Sequence, residues 1–373
     1  MATDQDIESA TLKLLASTDY ACSSLTRLNG GTANFVYRGR LSSPITLPGE
    51  TDAEEVIVKH TTDYVALNRD FKLARDRCIF EETMLRALKT FSPLSDAALL
   101  ASSRITVKTP RLLHFDSATY TQIMENLPES KDLKSWLLSE RGKSISEPDA
   151  RAIGHALGDW VAAFHTWGSQ EQQAGLRETI GQNTEMQKLK NMVNYERLPA
   201  MVDTYPHILE SSRAVFEQAR ECVAREIASP PTHSGDGSYG LIHGDFWTGN
   251  VLVTDHTLFV VDWELSHLGL RALDLGQMLA ELFEAKHFKD VDAAIWIMQA
   301  LVESYGPLTR EIAFRAAIHV GVHLVCWSVV PGWGSREQIE EVVRIGREFV
   351  VNGWQRDAAW FMQEGTLGFL FDR

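Results

Sequence analysis

Leu241-Ile242-His243-Gly244-Asp245-Phe246-Trp247-Thr248-Gly249-Asn250-Val251-Leu252-Val253, followed after a short polar stretch by Leu258-Phe259-Val260-Val261-Asp262-Trp263-Glu264, is the segment from which the rest of the chain can be placed. Apolar runs of strand length border its polar residues, so the carboxylates are expected on loops between buried strands. Thr254–Thr257 reads as a hairpin-like turn. That turn lets Asp262 fold back toward Asn250, a dozen residues earlier, so that Asp245, Asn250 and Asp262 converge on one site.

Phosphoryl transfer requires a carboxylate near the attacking hydroxyl, oxygen ligands for a metal ion that bridges nucleotide phosphates, and positive charge on those phosphates. Asp245 with Asn250 five residues later fits the catalytic-loop spacing H-x-D-x-x-x-x-N. Taken singly, Asp262 reads as a strand-end carboxylate and His243 as a satisfied core histidine. Their order, spacing and flanking apolar runs together point to a site.

The first third of the chain supplies the positive charge. Asn29-Gly30-Gly31-Thr32-Ala33-Asn34-Phe35 lies between the candidate strands Ala21–Leu28 and Phe35–Leu41, where glycine lets backbone N–H groups approach phosphate oxygens. Alone it would read as a plain hairpin turn. A third strand, Glu54–His60, ends in Val56-Ile57-Val58-Lys59, which places a lysine at the end of an apolar run. The periodicity from Phe71 to Leu88 predicts a helix, and it offers Glu81 and Glu82 as carboxylate partners for Lys59. Glu81 shares a side with Cys78 and Leu85 and is the expected partner, with Glu82 in solvent.

Two further strands are expected at Arg111–Asp116 and Thr119–Glu125, then a connector at Asn126-Leu127-Pro128-Glu129-Ser130. Beyond it the pattern is helical. Ile153, Ala156, Leu157, Trp160, Val161 and Phe164 line one face of Glu147–Trp167, and further helices cover about 174–228, 272–305, 308–328 and 335–363. The interruption near 229–240 has loop composition. The expected organisation is α+β and two-lobed: an N-lobe of antiparallel sheet plus helix over 1–125, a hinge at 126–130, and a helical C-lobe over 131–373.

Composition sets limits. The 373 residues, 44% hydrophobic and 23% charged, suit a globular protein. A formal net charge of −14 argues against neutralising nucleic-acid phosphates or an anionic membrane surface, so neither nucleic acid nor membrane is an expected partner. Cys22, Cys78, Cys222 and Cys326 form no CxxC pair and read as reduced, mostly packed thiols. No stretch has the apolar length of a membrane span, and the acidic start lacks signal-peptide character, so a cytoplasmic location is expected.

These residues resemble the aminoglycoside phosphotransferase, choline kinase and methylthioribose kinase superfamily, especially its fungal branch. The resemblance runs through Leu28–Tyr37, Ile57–Lys59, Ile123–Leu127, His243–Asn250, Asp262-Trp263-Glu264 and Leu273-Asp274-Leu275-Gly276. Ala316–Trp327 and Trp333-Gly334-Ser335 look distantly like the fungal 4-hydroxytryptamine kinases. It implies a two-lobed protein-kinase-like fold and an ATP- and Mg2+-dependent kinase acting on a hydroxyl of a small molecule. Asp245 would be the catalytic base, and Asn250 and Asp262 the magnesium ligands. Lys59, paired with Glu81, would contact the α- and β-phosphates, while Gly30, Gly31 and Asn34 would shape the phosphate loop. Adenine would meet the backbone around Met124, Glu125 and Leu127. Asp274 would brace the catalytic loop, and Glu264 would lie near the metal.

The chain departs from the protein-kinase pattern. Gly244 stands where H-R-D has arginine, Trp263-Glu264 where D-F-G has Phe-Gly, and no Ala-Pro-Glu follows. A protein substrate is therefore disfavoured, and the 174–228 insert with the last helices is expected to wall a small-molecule pocket. Trp167, Trp327 and Trp333 are aromatic candidates for it, with core packing as the plainer role for each. His319 and His323, a helical turn apart, read as packing or surface residues. A catalytically silent ATP-binding regulator is the alternative from another class, and it would be expected to lack one of Lys59, Asp245, Asn250 and Asp262; all are present.

Overall fold

The computed structural model describes residues 3–46, 52–92, 105–230, 237–329, 333–363 and 365–372. The centre of the 229–240 loop lies outside the described residues. Two compact units emerge, Met1–Thr90 with Thr109–Glu129, and Phe91–Lys108 with Ser130–Arg373. The fold class is α+β, as expected.

The first unit begins with α1 (Asp4–Leu15), capped by Thr3 and Asp6, and continues through β1 (Cys22–Arg27), β2 (Phe35–Ile45) and β3 (Ala53–His60). A short hairpin, β4 (Tyr64–Val65) and β5 (Asn68–Lys72), precedes α2 (Arg77–Leu88). After β6 (Thr106–Lys108), which belongs to the second unit, come β7 (Leu112–Asp116) and β8 (Thr121–Glu125). The antiparallel sheet has the order β1-β2-β3-β8-β7. Strand alternation puts Phe35, Tyr37, Val56 and Val58 in a core with Ile7 and Leu15 of α1.

One expectation fails here. The helix predicted from Phe71 starts only at Arg77, because Asn68–Lys72 pairs with Tyr64–Val65 and leaves Phe71 37% exposed. The apolar period continued across a chain reversal too short to announce itself as two strands.

The second unit holds β9 (Lys131–Asp132), α3 (Leu133–Leu137), α4 (Glu140–Lys143) and α5 (Glu147–Ser169). Ser146 caps α5, Pro148 occupies its first turn, and the predicted apolar stripe is buried throughout. The 174–228 insert is broken into α6 (Ala174–Ile180), α7 (Thr184–Asn191), a π-helical turn at Met192–Glu196, α8 (Arg197–Thr204), α9 (Pro206–Leu209) and α10 (Arg213–Ala228). Strands β10 (Tyr239–Ile242), β11 (Val251–Val253), β12 (Thr257–Val260) and β13 (His267–Leu270) follow. The sheet β6-β12-β11-β9 includes the parallel pair β6 and β12, which sequence reading did not foresee. The helices α11 (Ala272–Lys289), α12 (Asp292–Tyr305), α13 (Arg310–Trp327), α14 (Arg336–Gln355) and α15 (Ala358–Gln363) complete it. The single helical stretch expected over 272–305 is split at Asp290, whose left-handed backbone ends α11.

Candidate active site

In the second unit the hairpin geometry decides which polar residues meet. Val251 of β11 faces Val260 of β12, so the residue before one strand and those after the other emerge at the same end. The Val261 N–H donates to the Asn250 carbonyl at 3.0 Å, adding a rung to the ladder, and Asp262 comes next. Asp262 has φ 67°. That left-handed conformation is uncommon outside glycine but tolerated by Asp, and it turns the chain from the strand into Trp263–Leu265.

The loop after β10 is clamped from below. The backbone N–H groups of His243 and Gly244 donate to the two oxygens of Asp274 at 2.8 and 2.9 Å, and Nε2 of His165 donates to Asp274 at 3.1 Å. Burial would raise the Asp274 carboxyl; the hydrogen bonds from His165 and from the His243 N–H outweigh it and keep the group below its ordinary value. Gly244 has φ +80°, and a Cβ there would lie 2.2 Å from the Leu265 carbonyl oxygen. That contact explains why no arginine stands at this position. Burial lowers the His243 pKa and keeps the ring neutral. Its Nδ1 accepts from the Asp245 N–H at 3.2 Å, which leaves Nε2 to donate to the Val261 carbonyl at 3.1 Å.

Asp245 itself is fixed by three side chains. Its Oδ1 accepts from Lys190 Nζ at 2.9 Å and Gln277 Nε2 at 2.8 Å; its Oδ2 accepts from Asn250 Nδ2 at 3.0 Å. Lys190 also donates to Gln277 Oε1 at 2.8 Å, closing a triangle. Burial pushes the carboxyl upward, yet the Lys190 ammonium and these hydrogen bonds prevail and hold its pKa below the ordinary aspartate value. The side chain keeps 22% exposure, enough for an outside hydroxyl to reach it. Asn250 spends its amide nitrogen on the carbonyl and carboxylate of Asp245, so its side-chain oxygen takes no part in holding that residue.

In the first unit, Lys59 and Glu81 form a buried pair, Nζ lying 2.9 Å from Oε1 and 2.7 Å from Oε2. Glu82 instead pairs with Arg86, and at 15% exposure its side chain is less solvated than expected. Gly30, Gly31 and Thr32 are exposed at the β1–β2 turn, with Gly30 at φ +122°. Asn34 is buried, its side-chain oxygen accepting from Thr61 Oγ1 at 3.0 Å and Arg77 Nη2 at 2.9 Å. The unforeseen β4–β5 hairpin steadies the same loop: the Ala66 and Leu67 N–H groups donate to the Ala33 and Thr32 carbonyls, each at 3.2 Å. Met124 and Glu125 end β8, opposite Ile57 and Val56, with Leu127 just beyond. The Glu125 carboxylate is bound by Arg111, through N and Nε, both at 2.8 Å.

Sequence reading missed Lys190 and Gln277. Lys190 stands in a polar helix, 55 residues before Asp245, where a lysine reads as a solvated charge. Gln277 follows the Asp274 motif by less than a turn, and the helix phase could have flagged it. The expected aromatic residues are distributed: Trp167 packs against Phe91 and Phe164, Trp327 donates to Asn194 Oδ1 at 2.9 Å, and Trp333 stacks on Phe288. His319 and His323 are both buried, which rules out a surface role. His319 meets the Tyr195 hydroxyl at 3.2 Å, and His323 Nε2 lies 3.4 Å from Glu281.

Residues of the insert and α13 line a small pocket, of about 50 Å³, with Tyr195, Glu226, Arg315 and His319 in its wall. Lys190 and Gln277 line it too, whereas Asp245 does not, so those two side chains separate it from the carboxylate.

The model of a family described as "Phosphotransferase enzyme family" matches residues 71–308. Phosphotransferase FrzJ of Cladobotryum sp is 32% identical over 360 residues, covering 93% of this chain and 91% of that protein. The 4-hydroxytryptamine kinase of Psilocybe cyanescens is 28% identical, covering 89% and 88%. Among solved structures, amicoumacin kinase hAmiN in complex with AMP-PNP, Ca2+ and Ami aligns over 95% of this chain and 97% of that one, with 12% identity and a TM-score of 0.49.

Proposed function

This chain belongs to the phosphotransferase enzyme family, and on that premise we propose that it transfers the γ-phosphoryl group of ATP to a hydroxyl of a small molecule, with Mg2+ as the divalent ion. The observation that carries the reading is the orientation of Asn250: its nitrogen is committed to Asp245, and its oxygen, at the hairpin end shared with Asp262, completes a hard-oxygen donor pair. Such a pair fits Mg2+ or Ca2+ and suits a soft metal poorly. The bound ion would neutralise charge on the phosphates.

In the second unit, Asp245 takes the proton of the acceptor hydroxyl as the new P–O bond forms and the bond from the γ-phosphorus to the bridging oxygen breaks, releasing ADP. A carboxylate offers about four acceptor directions, and three are filled by Lys190, Gln277 and Asn250. The remaining direction receives the hydroxyl. In the first unit, Lys59 is assigned to the α- and β-phosphates and Glu81 to holding its ammonium in place. Gly30 and Gly31 give the loop its backbone approach to phosphate, while Asn34 acts through the loop's shape. Met124, Glu125 and Leu127 are assigned to the adenine, with Glu125 contributing backbone only. The relative that acts on 4-hydroxytryptamine, a hydroxylated small molecule, supports an acceptor of that general kind.

The test is Mg2+-dependent ADP formation with a panel of sugars, amino alcohols and phenols, for the native chain and Asp245→Asn. The variant should lose about 10²- to 10⁴-fold in kcat, the contribution of a positioned base. Full turnover in the variant would remove Asp245 from the mechanism.

A further inference from the structure

A cation lies in an aromatic and acidic cage beside the catalytic loop, and that cation belongs to the protein. The Lys134 ammonium is 4.0 Å from the ring centroid of Trp333, 5.3 Å from that of Trp247, and 3.1 Å from Oε2 of Glu281. Two indoles and a carboxylate around one ammonium are the elements of an alkylammonium receptor. The cage is firmly built: Trp333 stacks on Phe288, the Trp247 ring covers Gly249, and Glu281 is only 8% exposed.

Its position ties it to the reaction. Trp247 follows Asp245 by two residues, and Glu281 stands one helical turn beyond Gln277, which holds Asp245. One turn is about 5.4 Å along the helix, so an acceptor whose hydroxyl meets Asp245 reaches the cage within a few bonds. Deeper in, Oε2 of Glu284 is buried without a hydrogen-bond partner, 3.9 Å from Nε2 of His323, which itself lies 3.4 Å from Oε1 of Glu281. The region therefore carries more acceptor capacity than Lys134 and His323 together satisfy.

We infer that the Trp247–Trp333–Glu281 cage is an ammonium subsite of the acceptor site that Lys134 keeps filled, making Lys134 the residue that turns away acceptors with a cationic amine close to the hydroxyl. The inference rests on the kinase reading for the word acceptor; the cage itself does not. The native enzyme takes hydroxylated acceptors that are neutral or anionic at this place, and removal of the lysine side chain opens the cage to alkylammonium ions.

The test has a binding arm and a turnover arm. In the first, n-butylammonium chloride is titrated into the full native chain, Lys134→Ala and Lys134→Ala/Trp333→Ala at constant ionic strength, followed by tryptophan fluorescence and calorimetry. Saturable binding is expected in Lys134→Ala alone, with at least tenfold weaker binding in the other two. Equal binding in the native chain, or no loss on removing Trp333, would overturn the inference. In the second arm, the native chain is given acceptor pairs that differ only in an amine near the hydroxyl. The neutral member should be favoured at least tenfold in kcat/KM, and a preference for the amine would overturn the inference even if Lys134→Ala does not fold. Failure to phosphorylate any acceptor would count against the kinase reading, while the binding arm would still decide the cage.

Discussion

Lys190 of α7 donates to Asp245 at 2.9 Å, and so a residue of the helical insert, 55 positions earlier in the chain, sets the charge of the carboxylate in the loop after β10. The consequence is electrostatic. Because the ammonium lowers the Asp245 pKa, Lys190→Met should raise it and shift the acid limb of the kcat/KM profile toward higher pH. At neutral pH the loss should be about 10-fold or more, with Lys190→Arg recovering part of it. An unmoved acid limb would mean that Asp245 is not the group titrating in that limb.

For the metal pair, Asp262→Ala should remove the Mg2+-dependent part of the thermal stabilisation given by ATP and leave the ATP-only part in place. A ligand that binds only the folded state stabilises it by RT ln(1 + [L]/Kd), so titrations with ATP alone and with ATP plus Mg2+ give the two parts separately. An unchanged Mg2+ increment would exclude Asp262 as a ligand.

How much of this was legible depended on distance along the chain. His243, Asp245, Asn250 and Asp262 lie within one hairpin and its approach, so spacing and strand period alone place them at one end. Lys59 with Glu81 was also readable: strand alternation and helix phase each orient one partner, and Glu82 is taken by Arg86 instead. Lys190 and Lys134 were not. Lys190 sits in a polar helix and Lys134 in a helix of five residues, neither of whose phase reports a partner brought there by tertiary folding, and the π-helical turn after Asn191 shifts the insert's helix phase. The β4–β5 hairpin escaped notice because two strands this short carry no period of their own.

Gly244 should be irreplaceable for a local reason. A Cβ would meet the Leu265 carbonyl oxygen at 2.2 Å in a backbone at φ +80°, and the adjoining N–H groups are both held by Asp274. Gly244→Ala should lower stability by about 2 kcal/mol or more, through contact and backbone strain together. Gly31→Ala, whose added Cβ would lie 3.7 Å from Val36, should change it by less than about 0.5 kcal/mol. Urea denaturation of the two variants side by side gives the comparison.

Glu284 makes stability depend on pH. Burial raises its carboxyl from 4.5 to about 7, with the nearby Glu281 charge adding to the rise. The folded state therefore holds a proton that the unfolded chain gives up near pH 4.5. Between those values the folded form binds more protons, so this group's contribution to stability falls as pH rises from about 4.5 to 7 and is constant above. Glu284→Gln keeps an oxygen for the Ser328 hydroxyl, which donates to Oε1 at 2.5 Å, and removes the ionisation. Relative to the native chain the variant should gain on the order of 2 kcal/mol between pH 5 and 8. Parallel denaturation curves at the two pH values, with no change in the difference, would show that the carboxyl does not titrate in this window.

The Lys59–Glu81 pair allows binding and folding roles to be separated. Both side chains are almost fully buried, and removing one leaves the other charged without its counter-ion, which typically destabilises by about 3 kcal/mol. Lys59→Met should therefore lose both nucleotide binding and stability. Lys59→Met/Glu81→Leu should regain most of the stability, since an apolar pair of similar volume replaces both charges, but none of the ATP affinity. Denaturation midpoints paired with ATP titrations of the same samples would separate the two effects, and recovery of ATP binding in the double variant would show that Lys59 does not contact the phosphates.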